Sequence, residues 1–239
     1  MSIQALVPAQ LRHCGVQQMG VIYPAQDKAA LPTCCLQGSA KLLANTARCH
    51  GFLCKQDGFI VGKLAAETIR LVHQWLPAAL ADPGDLKARY QLCYAAMQAG
   101  VAFDNGLLHF THALEHPLSA VSPDLSHGLG LAVLLPAVIL ECYPARPDVL
   151  AHILAPLAPG LKGLPEEAPQ AAKAVEQWLA SVGVPQKLED LGVTAADVDK
   201  FCDLVEQTPS LGLLISVAPV EGTRERVARI YNNSLKPMA

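Results

Sequence analysis

Charged side chains are scarce in this 239-residue chain, at 16% of the residues, and aromatic side chains are scarcer still, at 5%. Hydrophobic residues make up 51%, which excludes an intrinsically disordered chain because such chains bury too little apolar surface to fold. The net charge is −3 and no run of basic residues occurs, which argues against a nucleic-acid or anionic-membrane partner. The composition is typical of a core-rich protein built from packed helices.

The sequence also lacks the features of a secreted or membrane-anchored protein. Its eight cysteines show no C-x-x-C pair and no secreted-domain spacing, so they are predicted to be reduced, mostly buried thiols of a cytoplasmic protein. The N-terminus has neither the basic start nor the long apolar core of a signal peptide. The most apolar run, residues 129–140, is shorter than a membrane span and contains Pro136, so it is predicted to be a buried core helix.

No dinucleotide-binding fingerprint is present, since Gly128-Leu129-Gly130 does not follow a predicted strand. Apolar residues instead recur at helical spacing from Leu36 onward. The sequence predicts an all-α, multi-helix domain over residues 21–239, preceded by an N-terminal extension at 1–20. Apart from a β-like segment at 21–23, the predicted elements are helices at 39–53, 62–81, 86–102, 105–120, 128–142, 147–157, 165–183, 195–206 and 221–235.

Three histidines carry the strongest chemical signal. His112 and His116 are four residues apart, so on a helix they share one face. His127 follows a proline-containing loop and directly precedes Gly128, where a second helix is predicted to begin. A helix, a turn and a second helix can therefore direct three imidazoles at one point. Imidazole is a common metal ligand and a general acid or base near neutral pH, so the pattern indicates a metal site.

The stretch from Asn105 to Pro136 contains an Asn seven residues before the first histidine, then His-x3-His-Pro-Leu, a loop, His-Gly and an apolar run ending Leu-Leu-Pro. It resembles the iron-containing alcohol dehydrogenase family, which includes the maleylacetate reductases, and the similarity runs from about Val21 to the C-terminus. It implies the fold of that family's C-terminal, metal-binding domain, a dehydroquinate synthase-like α domain. The resemblance further implies that His112 and His127 bind a divalent metal and that His116 is the catalytic residue on the proton path.

The chain departs from the family pattern in two places. The N-terminal nucleotide-binding domain, with its Gly-Gly-Gly-Ser phosphate loop, is absent from these 239 residues. The family's Asp-x3-His ligand pair (Asn-x3-His in maleylacetate reductases) is also absent: four residues before His50 stands Thr46, whereas aligning Asn45 with the Asp puts Cys49 in the histidine position. The predicted metal ligands are then His50, His112 and His127 with water as a fourth. Three imidazoles suit Zn²⁺ better than a hard dication such as Mg²⁺. The predicted metal is Fe²⁺ or Zn²⁺.

Two classes of function follow from the resemblance. In the first, the chain is the metal-binding half of an NAD(P)-dependent oxidoreductase acting on a small alcohol or aldehyde, and NAD(P) binds only if a separate nucleotide-binding subunit is supplied. In the second, it is a nucleotide-independent derivative, either a binding or scaffold protein or a metal-assisted non-redox enzyme. A remote alternative is an H-x-x-E-H zinc hydrolase, in which His112 and His116 bind zinc, Glu115 activates water and Glu189 is a third ligand.

Two further predictions concern His109 and the surface. His109 lies three residues before His112 and is predicted at the rim of the cavity, with a narrowed nicotinamide pocket or a fourth metal ligand as alternatives. A helical domain without its nucleotide domain should expose an apolar patch. The chain is therefore predicted to form a homo-oligomer or an obligate hetero-complex, with the apolar residues of extension 1–20 covering part of that patch.

Overall fold

The computed structural model describes residues 58–106, 108–122 and 125–238, and over these ranges it contains helices and no strand. The predicted all-α class is confirmed. The predicted extension at 1–20, the β-like segment at 21–23, the helix at 39–53 and the predicted ligand His50 lie outside the described residues. The helices are α1 (Gly58–Ala81), α2 (Leu86–Gly106), α3 (Phe110–Val121), α4 (His127–Cys142), α5 (Pro147–Leu154), α6 (Ala168–Ser181), α7 (Val198–Gln207), α8 (Pro209–Ser216) and α9 (Arg224–Asn233).

Helices α1 and α2 form a hairpin around the predicted break at residues 82–85. The Asp85 carboxylate accepts hydrogen bonds from the backbone N–H of Lys87 and Ala88 at 2.9 and 3.0 Å, which confirms Asp85 as the cap of α2. The predicted end of this helix at residue 102 was too early, because α2 continues to Gly106. Asn105 therefore lies in the last turn of α2, and the prediction that it opens the histidine-bearing helix was wrong.

The histidine-bearing helix α3 begins at Phe110, five residues later than predicted. His109 is its cap: the imidazole Nδ1 accepts the Phe110 backbone N–H at 2.7 Å, and the backbone of His109 is non-helical. A side chain that takes one of the first helical N–H groups stabilises the start of a helix, because those groups have no carbonyl partner within it. The start of α3 is thus set by an imidazole, a residue type outside the usual capping set.

Helix α4 is the central element of the described fold. The segment His127–Ala145 is long and apolar enough to cross a membrane, but 72% of its apolar window is buried against other helices. One side of α4 packs into a core shared with α1, α2, α5 and α6, and the other packs into a core shared with α3, α7 and α9. The prediction of a buried core helix at 128–142 is confirmed, and α4 fixes where its first residue, His127, stands.

The C-terminal region contains a helix, α8, that was not predicted from the sequence. Helix α8 begins at Pro209, after Thr208 in an extended conformation (φ −100°, ψ 102°), because the residue before a proline is disfavoured in helical geometry. Helix α9 begins at Arg224 and not at 221, since the Thr223 hydroxyl accepts the Arg226 backbone N–H. The helices predicted at 165–183 and 195–206 each open with a short 3₁₀ turn, at Pro165–Glu167 and Ala195–Asp197.

Polar contacts from α9 to α3 and to α4 hold these three helices together. The Glu141 carboxylate on α4 accepts hydrogen bonds from Arg226 and Arg229 of α9 at 2.9–3.0 Å, and these guanidinium groups hold the pKa of Glu141 below its usual range despite burial. The buried Tyr231 hydroxyl of α9 donates to the Leu114 carbonyl of α3 at 2.7 Å. Helices α3, α4 and α9 are thereby joined as one unit.

Candidate metal centre

Helix α3 divides its residues between the core and the site. Phe110, Ala113, Leu114 and Leu118 are buried in the core that α3 shares with α4, α7 and α9. This apolar spacing leaves positions 112, 115, 116 and 119 on the side that faces the start of α4. The site therefore arises because an apolar stripe anchors α3 and its polar residues share the adjacent face.

The three histidines singled out in the sequence converge. The ring centroids of His112 and His127 are 5.2 Å apart, those of His116 and His127 are 5.8 Å apart, and those of His112 and His116 are 6.4 Å apart. His112 is buried at 2% exposure, whereas His116 is exposed and His127 is intermediate. The cluster thus spans from the protein interior to solvent, as a site for a small substrate requires.

Glu115 is the functional candidate that the histidine pattern alone did not identify. Its side chain is fully buried, with one carboxylate oxygen against His127 Nδ1 and the other accepting a hydrogen bond from the Ser119 hydroxyl. From the sequence, a role for Glu115 was predicted only within the hydrolase motif. Its placement beside His127 depends on the packing of α3 against α4, which the sequence does not encode locally.

Gly130 makes room for this carboxylate. A Cβ atom built on Gly130 would lie 2.8 Å from Glu115 Cγ and 2.9 Å from Glu115 Oε1, closer than side-chain atoms tolerate. Gly130 is one turn inside α4, and its missing side chain lets α3 approach. Gly130, which is not part of a dinucleotide-binding motif, therefore has a local packing role.

The donor set fits a divalent metal. Ligand atoms of Glu115, His116 and His127 all lie within 4.8 Å of one another, and the His112 ring adjoins two of these groups. Imidazole nitrogens suit iron or zinc and do not suit magnesium or calcium, which prefer oxygen ligands. The predicted ligands His112 and His127 and the predicted proton-path residue His116 are thus brought together.

His109 does not lie at the rim of this site. It is buried at 4% exposure and lines a small cavity with residues of α4 and α5, among them Leu135, Val138 and Leu150. The prediction that places His109 at the rim assumed that His109 and His112 lie on one continuous helix. Because α3 begins after His109, its ring points away into the core and caps the helix instead.

The hydrolase alternative is disfavoured by the same geometry. A general base must reach a water molecule beside the metal, yet Glu115 is fully buried and both its oxygens are engaged. Glu189, the third ligand imagined for that motif, lies in a 3₁₀ turn and pairs with Lys236 at 3.4 Å. The H-x-x-E-H spacing therefore reflects a carboxylate that contacts a histidine.

Comparison with known proteins gives a consistent family assignment. A profile of the Fe-containing alcohol dehydrogenase family, C-terminal, matches residues 54–235. A long-chain primary alcohol dehydrogenase of Thermoanaerobacter ethanolicus is 55% identical over 171 residues, which cover 72% of this chain and 43% of that protein. A 1,3-propanediol dehydrogenase of Citrobacter freundii is 33% identical over 193 residues, which cover 80% of this chain and 49% of that protein.

Solved structures agree with the sequence comparisons. The crystal structure of a 1,3-propanediol oxidoreductase superposes with a TM-score of 0.74 at 27% identity, over 85% of this chain and 52% of that one. A maleylacetate reductase from Rhizobium superposes with a TM-score of 0.69 at 25% identity, over 84% and 52%. The chain thus spans about half the length of the relatives it matches. It belongs to the iron-containing alcohol dehydrogenase family, and its described helices form that family's C-terminal domain.

Proposed function

We propose that this chain is the metal-binding half of an NAD(P)-dependent oxidoreductase that acts on a primary alcohol or the corresponding aldehyde. The observation that supports it most is the convergence of three imidazoles within 5.2–6.4 Å at the junction of α3 and α4. Two of the relatives named above act on primary alcohols and on 1,3-propanediol, which favours the same substrate class. The family implies a divalent metal, and we propose Fe²⁺ or Zn²⁺ in a cytoplasmic protein.

His112 and His127 are the proposed metal ligands within the described residues, with His50 as the third by sequence. Both rings border the same space, and His127 is held from behind by Glu115. When bound, the metal supplies Lewis acidity that makes the substrate oxygen easier to deprotonate before hydride moves to NAD(P). The buried setting of His112 and Glu115 limits water at the inner side of the site.

His116 is the proposed proton-transfer residue. Its ring lies beside the His127 ring, with centroids 5.8 Å apart, and its side chain is exposed. A proton relay needs both a position near the substrate oxygen and contact with solvent. Among the three clustered histidines, His116 is the most exposed, so it is the residue suited to pass the proton outward.

We predict that the chain by itself binds NADH and NADPH too weakly to detect at micromolar concentrations. The 239 residues hold no Gly-Gly-Gly-Ser loop to offer backbone N–H groups to a pyrophosphate. Calorimetric titration of the metal-loaded chain with each nucleotide, alongside an alcohol-oxidation assay, measures this.

A dissociation constant in the micromolar range for either nucleotide would contradict that prediction and would place a nucleotide site in the chain. If the chain binds metal but no nucleotide, and turnover appears when a nucleotide-domain polypeptide is added, the result would support a two-subunit oxidoreductase. Metal binding with no turnover under either condition would instead favour the nucleotide-independent derivative. The assay therefore separates the two classes of function.

We further propose that the chain self-associates through α2, although a nucleotide-domain subunit remains the alternative partner. The outer face of α2 carries an apolar stripe whose exposed fractions run from 42% (Tyr94) to 81% (Leu86). The positions of the stripe are symmetric about the midpoint between residues 93 and 94. Two antiparallel copies of α2 would therefore pair Leu86 with Val101 and Tyr90 with Met97 across a two-fold axis. The exposed residues of the stripe are Leu86, Tyr90, Tyr94, Met97 and Val101, and the half-buried Cys93 lies among them.

We expect light scattering to give the wild-type chain a mass of about twice its 25.4 kDa, because a two-fold pairing buries the stripe. The double variant Tyr90→Glu/Met97→Glu places charges opposite each other across the axis and should run as a monomer. Leu213→Glu, a change at an exposed leucine on α8, is the matched control and should not alter the mass. A monomeric wild type at tens of micromolar would refute self-association through α2.

A further inference from the structure

We infer that Glu115 is a positioning residue that sets the tautomer and the orientation of His127, so that the Nε2 atom of His127 faces the metal. This inference rests on the proposed function, because the orientation of His127 matters when His127 is a metal ligand. No metal ligation by Glu115 itself is required. Two contacts of the Glu115 carboxylate and its close approach to the α4 backbone at Gly130 support this role.

The first contact determines which nitrogen of His127 carries the proton. One oxygen of Glu115 lies against His127 Nδ1. An ionised carboxylate only accepts hydrogen bonds, so the proton of a neutral imidazole must sit on Nδ1. The lone pair is then on Nε2, at the opposite side of the ring, where it is available to a metal.

The second contact and the close approach at Gly130 hold the carboxylate still. The other Glu115 oxygen accepts a hydrogen bond from the Ser119 hydroxyl, one turn along α3. The α4 backbone at Gly130 closes the remaining side, since a Cβ there would lie 2.8 Å from Glu115 Cγ. A carboxylate enclosed on three sides and fully buried has little freedom to rotate, and neither has the ring bonded to it.

The same contacts argue that Glu115 is not a direct ligand. One of its oxygens is engaged by His127 and the other by Ser119, and these bonds compete with ligation for the same carboxylate. His127 by contrast keeps Nε2 on the side away from Glu115. A carboxylate behind a metal-binding histidine is a recurrent arrangement in metalloproteins, and its loss typically weakens metal affinity by about 10–100-fold.

The tautomer of His127 can be measured without any metal. Long-range ¹H–¹⁵N NMR spectra of the metal-free chain distinguish Nδ1–H from Nε2–H imidazoles, and the His127 signals are those missing from a His127→Ala variant. We expect the Nδ1–H form in the wild type and a mixture, or the Nε2–H form, in Glu115→Ala. An unchanged His127 spectrum in Glu115→Ala would overturn the inference, whether or not the chain binds metal.

Zinc affinity, measured by competition with a chromogenic chelator, gives the second readout. Glu115→Ala should bind Zn²⁺ about 10–100-fold more weakly, and Glu115→Gln should retain most of the affinity because its amide oxygen still accepts the Nδ1–H. Gly130→Ala should weaken binding similarly although it leaves the carboxylate in the chain. Gly100→Ala, at a helical glycine with open space around it, is the matched control for Gly130→Ala and should bind Zn²⁺ like the wild type.

The two readouts separate failure of this inference from failure of the proposed function. A wild type that binds no Zn²⁺ but shows the Nδ1–H tautomer only when Glu115 is present contradicts the metal function and supports the positioning role. Equal loss of zinc affinity in Glu115→Gln and Glu115→Ala, with an unchanged tautomer, would identify a direct ligand and overturn positioning. Wild-type affinity in both Gly130→Ala and Glu115→Ala would overturn it as well.

Discussion

Variants His112→Ala and His127→Ala are expected to hold almost no metal under conditions where the wild-type chain holds about one divalent ion. Their rings are 5.2 Å apart, and His112 is buried. Loss of an outer-shell partner typically costs about 10–100-fold in affinity, so loss of a ligand itself should cost more than about 100-fold. At that affinity, dialysis removes the ion.

Metal content per chain, measured after dialysis against Fe²⁺ or Zn²⁺ and then buffer, checks this expectation. His152→Ala, at an exposed histidine on α5, is the matched control and should keep wild-type metal. His116→Ala is informative in its own right: retained metal with lost turnover in the presence of a nucleotide-domain polypeptide fits a proton path, whereas lost metal places His116 among the ligands. Equally negligible metal in the wild type, His112→Ala and His127→Ala would refute the metal site.

Phe201→Ala is expected to lower the free energy of unfolding by about 3–5 kcal/mol, the usual cost of emptying a buried aromatic position. The Phe201 ring on α7 is buried and lies 5.4 Å from the Tyr231 ring of α9, centroid to centroid. Tyr231 in turn donates to the carbonyl of Leu114, next to Glu115. The cavity would therefore loosen the contact that fixes α3 from behind.

Urea unfolding followed by circular dichroism measures this loss, and the melting temperature should fall by about 10 °C. Tyr231→Phe is the graded comparison, since it removes only the hydroxyl and should cost about 1–3 kcal/mol. A loss below about 1 kcal/mol in Phe201→Ala would mean that the ring is not packed as described. Metal content of the folded Phe201→Ala protein then reports how far the site depends on this support.

Local sequence patterns predicted most of the helices that the structure describes. The break at residues 82–85 and the cap at Asp85 were predictable because a short acidic side chain bonds N–H groups two or three residues away. The core helix α4 was predictable because a run apolar on all sides is stable only when surrounded by protein. Helix α8 was missed because its apolar residues, at 211, 213, 214 and 215, do not keep to one helical face.

The site was predictable only as far as helical spacing reaches. His112 and His116 lie on one face because four residues are about one helical turn. The start of α3 was wrongly predicted at Asn105 because helical spacing does not indicate where a helix begins. The boundary between α2 and α3 is set by a histidine cap, and imidazole is absent from the usual capping signals. His109 was misplaced for the same reason, since its assignment to the rim required a helix that starts earlier.

The sequence by itself determined the all-α class, the buried character of α4 and the pairing of His112 with His116, because each depends on composition or on contacts within one helix. The family followed from resemblance to known proteins. Only the tertiary structure decided that Glu115 lies against His127, that Gly130 provides the space for it, and that the outer face of α2 is exposed. These depend on how α3 packs against α4 and on which helix faces have partners. Such contacts join residues distant in the chain, and their geometry follows from the packing of the whole core.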